Sequence, residues 1–94
     1  MLKIPSYIIY YILMIKTGVI RTYYDNEEKI LKEEYFIFNG KKEGIYRLYF
    51  ENGRIYKEIN YIDDKISGIC RVFYNKGNLL IEAFYKDGIN IYGE

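Results

Sequence analysis

The sequence predicts an all-β fold, an antiparallel β-meander of about three stacked β-hairpin repeats forming an elongated twisted sheet. Three observations carry that expectation. The first is a motif that occurs three times, as Gly18-Val-Ile-Arg-Thr-Tyr-Tyr24, Gly44-Ile-Tyr-Arg-Leu-Tyr-Phe50 and Gly68-Ile-Cys-Arg-Val-Phe-Tyr74. Each copy reads glycine, β-branched residue, any residue, arginine, any residue, two aromatics. The second is the spacing of the glycines, 26 residues (44 minus 18) and 24 residues (68 minus 44), which is the range of repeat architectures. The third is the turn signal after each aromatic pair, such as Asn52-Gly53 and Asn75-Lys76-Gly77. It is followed by a second apolar run, as expected of a hairpin.

The chain divides into an N-terminal segment, 1–17, and a repeat domain, 18–94, with units 18–43, 44–67 and 68–91. In the first segment, Tyr7-Ile-Ile-Tyr-Tyr-Ile-Leu-Met-Ile15 is apolar but far shorter than the ~20 residues of a membrane-spanning helix. Tyr11 precedes Gly18 by the same interval as Tyr61 precedes Gly68. The segment is therefore expected to be a worn half-repeat, a strand that caps the sheet. A signal sequence and a short capping helix stay open as alternatives. Lys3 and the apolar run suit a signal, but no small-residue cleavage site follows at Ile15-Lys-Thr-Gly18. The expected location is cytoplasmic.

In unit one, Asp25-Asn-Glu-Glu-Lys-Ile30 replaces the four-residue turn and lacks glycine. A wider loop is expected there, because Glu27-Glu28 suits a two-residue type I′ turn poorly. Unit two is the consensus copy. Its type I′ turn is expected at Asn52-Gly53, and its second strand at Ile55–Tyr61. Unit three repeats this with strand Leu79–Tyr85, and a short edge strand over Ile89–Tyr92 closes the sheet, which limits unwanted edge pairing. Asn39-Gly40, Asp63-Asp64 and Asp87-Gly88 are the turns between successive hairpins.

The hairpin register places Arg21 opposite Glu34, Arg47 opposite Glu58 and Arg71 opposite Glu82. Directly opposite side chains are the interacting unit of a sheet, worth about 0.2–1 kcal/mol per charge pair. A one-residue slip would send every side chain to the wrong face. The pairs read as a structural ladder, with a partner-binding charge row as the alternative. One face then carries Tyr46, Leu48, Phe50, Ile55, Ile59, Cys70, Val72, Tyr74, Leu79, Ile81 and Ala83, and is expected to be the more buried. The other carries the ladder flanked by Tyr23, Tyr49, Tyr56, Phe73 and Leu80.

Composition excludes several classes of function. The net charge of +1 leaves no electrostatic footprint for nucleic acid. It also argues against a membrane surface, where anionic lipid attracts clustered Lys and Arg. With no histidine, the usual general base, zinc ligand and pH switch are missing together. The one cysteine, Cys70, has no intramolecular disulfide partner. Asp63, Asp64 and Asp87 fall at turn centres, where Asp is favoured for local hydrogen bonding, so no metal is expected. Glu34, Glu58 and Glu82 each face an arginine, which favours plain carboxylates over acid–base catalysts. No catalytic residue and no cofactor follow from the sequence.

Asn39-Gly-Lys-Lys-Glu-Gly44 and the Gly44, Tyr49, Asn52-Gly53 spacing resemble the MORN repeat, and more closely its bacterial variant. The resemblance runs over about residues 18–91, with departures at Glu27 and at Asp63-Asp64. It implies stacked hairpins and association with protein or membrane lipid. In some bacterial relatives it implies an antitoxin or immunity role against a secreted toxin. Together with the two-faced aromatic pattern, it points to a non-enzymatic protein–protein interaction module. Its expected contact set is Tyr23, Arg47, Tyr49, Tyr56, Arg71 and Phe73. Lipid association and self-assembly through the apolar sheet face, as a homodimer, are the alternatives.

Overall fold

A computed structural model describes residues 16–93. The expectation of a capping strand or signal within 1–17 therefore lies almost wholly outside the described residues. Within them the fold is all-β. Strands β1 (Gly18–Tyr23), β2 (Leu31–Phe38), β3 (Lys41–Lys42), β4 (Gly44–Tyr49), β5 (Ile55–Ile62), β6 (Lys65–Phe73), β7 (Leu79–Lys86) and β8 (Ile89–Gly93) follow one another. They pair antiparallel in one open sheet of order β1-β2-β4-β5-β6-β7-β8, with β3 also paired to β2.

The type I′ geometry that the sequence suggests for the hairpin loops occurs at the linking turns instead. Asn52-Gly53 does not form a two-residue type I′ turn. The Gly53 N–H donates to the Phe50 carbonyl at 2.9 Å and the Phe50 N–H to the Arg54 carbonyl at 2.8 Å. Of the loop residues only Gly53 has positive φ, at 88°. This is a three-residue loop, a type I turn closed by a left-handed glycine and a bulge. Residues 74–78 repeat it, with Gly77 N–H to the Tyr74 carbonyl at 2.9 Å. The type I′ turns are the linking ones: both members of Asn39-Gly40, Asp63-Asp64 and Asp87-Gly88 have positive φ. Asn-Gly alone does not say which of the two geometries follows, because both place glycine in the left-handed region.

The bulge has consequences for the faces. Leu48 pairs with Lys57 but Tyr49 pairs with Ile55, so Tyr56 is an extra residue. Lys32 in the first hairpin and Leu80 in the third hold the same position. Tyr56 shares the face of Leu48 and Lys57 instead of alternating away from it. Its ring stacks on Phe50 at 4.5 Å between centroids, and the Lys57 ammonium lies 5.3 Å from it. Ile55 and Leu79 correspondingly move to the ladder side, as partners of Tyr49 and Phe73. The sequence-based face assignment is thus reversed at Ile55, Tyr56, Leu79 and Leu80, and holds in the strand centres.

Successive units join by a second irregularity. Between the pairs Ile59↔Cys70 and Tyr61↔Ile66, β6 carries two more residues than β5. The jump from Ile37↔Lys42 to Glu34↔Arg47 does the same in the preceding unit. Gly44 and Gly68 lie within these irregular stretches at φ 85° and 90°, which glycine adopts without the penalty of a Cβ. This explains why the repeated motif begins with glycine. Each linking turn is also tied back to the preceding unit. Gly40 N–H donates to the Lys16 carbonyl at 2.6 Å, Asp64 N–H to Lys42 at 2.9 Å, and Gly88 N–H to Ile66 at 2.8 Å.

The first loop is wider, as expected. The Asp25 carboxylate accepts from the N–H groups of Lys29 at 3.1 Å and Ile30 at 2.8 Å, and these bonds hold its pKa below the ordinary carboxylate value. Glu28 occupies the left-handed region at φ 58°, which disfavours a residue with Cβ by about 1–2 kcal/mol. Glu28→Gly is therefore expected to stabilise the chain by about 0.5–1 kcal/mol, measured as a rise in the urea midpoint at unchanged slope.

Of the described residues only Ala83 is a buried hydrophobic, at 4 % exposure. Among the described residues no second layer covers the sheet. The face of Tyr46 and Leu48 is mostly half-buried, and the ladder face keeps more of its large apolar side chains in the open.

Candidate functional site

The ladder face is organised around a row of charges that crosses six strands. The backbone register pairs Arg21 with Glu34, Arg47 with Glu58 and Arg71 with Glu82, as the sequence predicts. It also pairs Glu34 with Arg47 and Glu58 with Arg71 between units. The result is a continuous alternation, Arg21-Glu34-Arg47-Glu58-Arg71-Glu82. Within hairpins each arginine Nε meets a glutamate Oε2, at 2.7 Å for Arg21, 3.0 Å for Arg47 and 2.8 Å for Arg71. Between units, Arg71 Nη1 lies 3.7 Å from Glu58 Oε1. Hydrogen bonding to these carboxylates raises the pKa of all three arginines. The side chains are 25–51 % exposed, so the row is reachable from solvent.

Apolar rows flank the charges on both sides. Towards the linking turns lie Val19, Phe36, Ile45 and Ile69, all exposed, with Phe38 and Ile62 beyond them at 54 % and 55 %. Towards the hairpin loops lie Tyr23, Tyr49 and Phe73, each at the same place in its unit and each half-buried. Of the expected contact set, Tyr23, Arg47, Tyr49, Arg71 and Phe73 share this face. Tyr56 does not, for the bulge carries it to the opposite side beside Phe50 and Lys57.

On that opposite face is a cluster the sequence reading missed. The Lys42 ammonium stands 5.4 Å from the ring centroids of Tyr35 and Tyr46 and 5.1 Å from that of Tyr61. Tyr46 packs against Tyr35 at 5.3 Å and against Tyr61 at 6.2 Å. The Tyr46 hydroxyl donates to Glu33 Oε2, and Thr22 Oγ1 donates to Glu33 Oε1 at 2.8 Å. The signal was present in the spacing, since Tyr35, Tyr61 and Tyr85 recur with the repeat. The convergence on Lys42 depends on the irregular stretch between Lys42 and Arg47.

This cluster titrates at both ends of the pH scale. The Tyr46 hydrogen bond holds the Glu33 carboxyl below its ordinary 4.5. Burial, and then the bond to Glu33, pushes the Tyr46 phenol above its ordinary 10.0. A depressed acid stabilises the fold above its unfolded pKa, and that contribution is lost as pH falls through the folded value. A raised phenol stabilises the fold below its unfolded pKa, and that contribution is lost as pH climbs. Unfolding free energy should therefore decline below about pH 4.5 and above about pH 10. Tyr46→Phe should make the acid limb shallower, as read from urea melts at a series of pH values.

Among the described residues no group of three His, Cys, Asp or Glu side chains could hold a metal ion. Cys70 is half-buried, and burial pushes its thiol pKa up, which suits a small packing residue more than a nucleophile.

Residues 42–63 and 66–87 match the family model of the MORN repeat variant. Each MORN match begins two residues before the motif glycine and runs through the hairpin into the following linking turn. The first hairpin, with Asp25–Ile30 in place of the short loop, lies outside both matches. No curated protein and no solved structure matches the chain. MORN repeats are repeat-based interaction or membrane-associated modules, generally without catalysis.

Proposed function

We propose that this chain is a non-enzymatic protein-interaction module that docks a protein partner on its ladder face. The observation that carries this reading is the make-up of that face. An alternating charge row is bordered by exposed large apolar side chains, on a sheet that no second layer covers among the described residues. Apolar area supplies affinity on burial, and placed charges supply specificity and fix register. The aromatic and arginine content matches the residue types that dominate binding energy at interfaces. If the partner is a toxin, the chain is an immunity-type binder, as the resemblance to bacterial relatives suggests.

The test is capture from host lysate with the tagged full chain, beside the Arg47→Ala/Tyr49→Ala variant. The reading expects a protein recovered by the parent chain and lost with the variant. Equal recovery by both would place binding elsewhere.

A further inference from the structure

The charge row has a symmetry of its own. Across the sheet it reads Arg21, Glu34, Arg47, Glu58, Arg71, Glu82. An alternating row with an even number of members, laid against its own reverse, sets every arginine opposite a glutamate. Laid against itself in the same direction, it sets like on like. Two sheets stacked face to face can be related by a two-fold axis lying between them. An axis running along the strands reverses the row, whereas an axis running across the strands does not.

We propose that the partner of the ladder face is a second copy of this chain. The two copies pack face to face about a two-fold axis parallel to the strands, passing between Arg47 and Glu58. This rests on the reading of that face as the docking surface. In this arrangement Arg47 meets the partner subunit's Glu58, Arg21 meets the partner subunit's Glu82, and Glu34 meets the partner subunit's Arg71. The same rotation returns each apolar row onto its own copy, so that Phe36 packs on the partner subunit's Ile69 and Val19 on the partner subunit's Phe84, while Ile45 meets the partner subunit's Asn60. A rotation that mismatched the charges would also set this row against the row of Tyr23, Tyr49 and Phe73. Charge and shape therefore select one axis.

The area is adequate. Strands about 4.8 Å apart and eight residues long give the face a footprint of roughly 700 Å², close to the ~800 Å² per partner of a standard stable interface. Aligned sheets that pack face to face lie about 10 Å apart and within about 30° of each other, a spacing that long arginine and glutamate side chains bridge. Desolvation is moderated because each arginine already satisfies a carboxylate in its own chain through Nε. The guanidinium fork has further donors to offer a carboxylate across the interface.

The symmetry makes the test specific. The Arg21→Glu/Glu34→Arg exchange keeps an ion pair within the first hairpin but places like charges at four contacts between copies. The Arg47→Glu/Glu58→Arg exchange inverts the pair on the axis, which then meets its own inverse and stays complementary. The middle exchange creates two like-charge neighbours within the sheet and the outer exchange creates one, so a folding defect would strike the middle variant harder. Sedimentation of the full chain over a concentration series should show dimers for the parent and the middle variant. The outer exchange should weaken the dimer at least ~100-fold, since like charges facing each other cost several kcal/mol. Adding Arg71→Glu/Glu82→Arg to the outer exchange should restore it. A parent chain monomeric up to about 1 mM, or a dimer indifferent to the outer exchange, would overturn the proposal. A monomer that still captures another protein in a manner dependent on Arg47 and Tyr49 would overturn only the choice of partner. Capture indifferent to those residues would overturn the docking face as well.

Discussion

Gly68→Ala should destabilise the chain by about 1–3 kcal/mol, the range for a side chain forced into a sparsely populated backbone region. Gly68 lies at φ 90°, in the middle of the irregular stretch through which unit three pairs with unit two. An added Cβ would also stand 3.4 Å from Asn60 Nδ2. That amide donates to the Ser67 carbonyl at 2.7 Å, bridging the irregular stretch, so it has little freedom to withdraw. For a chain of this size each kcal/mol shifts the melting temperature by roughly 4–8 °C. The change should thus be plain in a thermal melt followed by circular dichroism. Gly44→Ala, at φ 85° with nothing within 4 Å of the new Cβ, should carry the backbone strain alone and cost less. A larger loss at Gly44 would mean that the Asn60 contact is unimportant.

The second large effect is expected from Arg47→Glu. Arg47 stands between Glu34 and Glu58 in the register, so inversion places three carboxylates side by side. The loss of one pair and the gain of two repulsions, each worth up to about 1 kcal/mol, should lower stability by about 1–2 kcal/mol. Added salt should recover part of this, because charges at a partly exposed surface are screened. The Arg47→Glu/Glu58→Arg double variant should regain the pair within the hairpin, and a thermodynamic cycle over the four chains measures the coupling. A coupling near zero would show that the ladder sets register without stabilising it.

What the sequence made legible and what it hid have separate physical causes. Arg21–Glu34, Arg47–Glu58 and Arg71–Glu82 follow from counting outward from the loops. The count survives because the extra residue lies nearer the loop than the charged pair does. The same bulge defeats the count for Ile55, Tyr56, Leu79 and Leu80, and so moved Tyr56 out of the expected contact set. A one-residue change in hairpin geometry leaves almost no compositional trace, since Asn-Gly serves both loop types. The Lys42 cluster was hidden for another reason. Its rings come from β2, β4 and β5, and the lysine comes from the two-residue strand β3. The unmatched first hairpin shows how the fold tolerates divergence, with Asp25 side-chain bonds replacing the glycine loop while the Arg21–Glu34 pair is kept.

In the proposed function the ladder face, and not the tyrosine-cluster face, is the recognition surface. The most direct measurement places a photo-crosslinking amino acid at Ile45 on the ladder face or at Ile81 on the opposite face. These positions are 48 % and 36 % exposed. Irradiation of each variant in host lysate should yield a discrete adduct from position 45, either with a second copy or with another protein, and none from position 81. An adduct from position 81 with none from position 45 would place recognition on the tyrosine-cluster face instead.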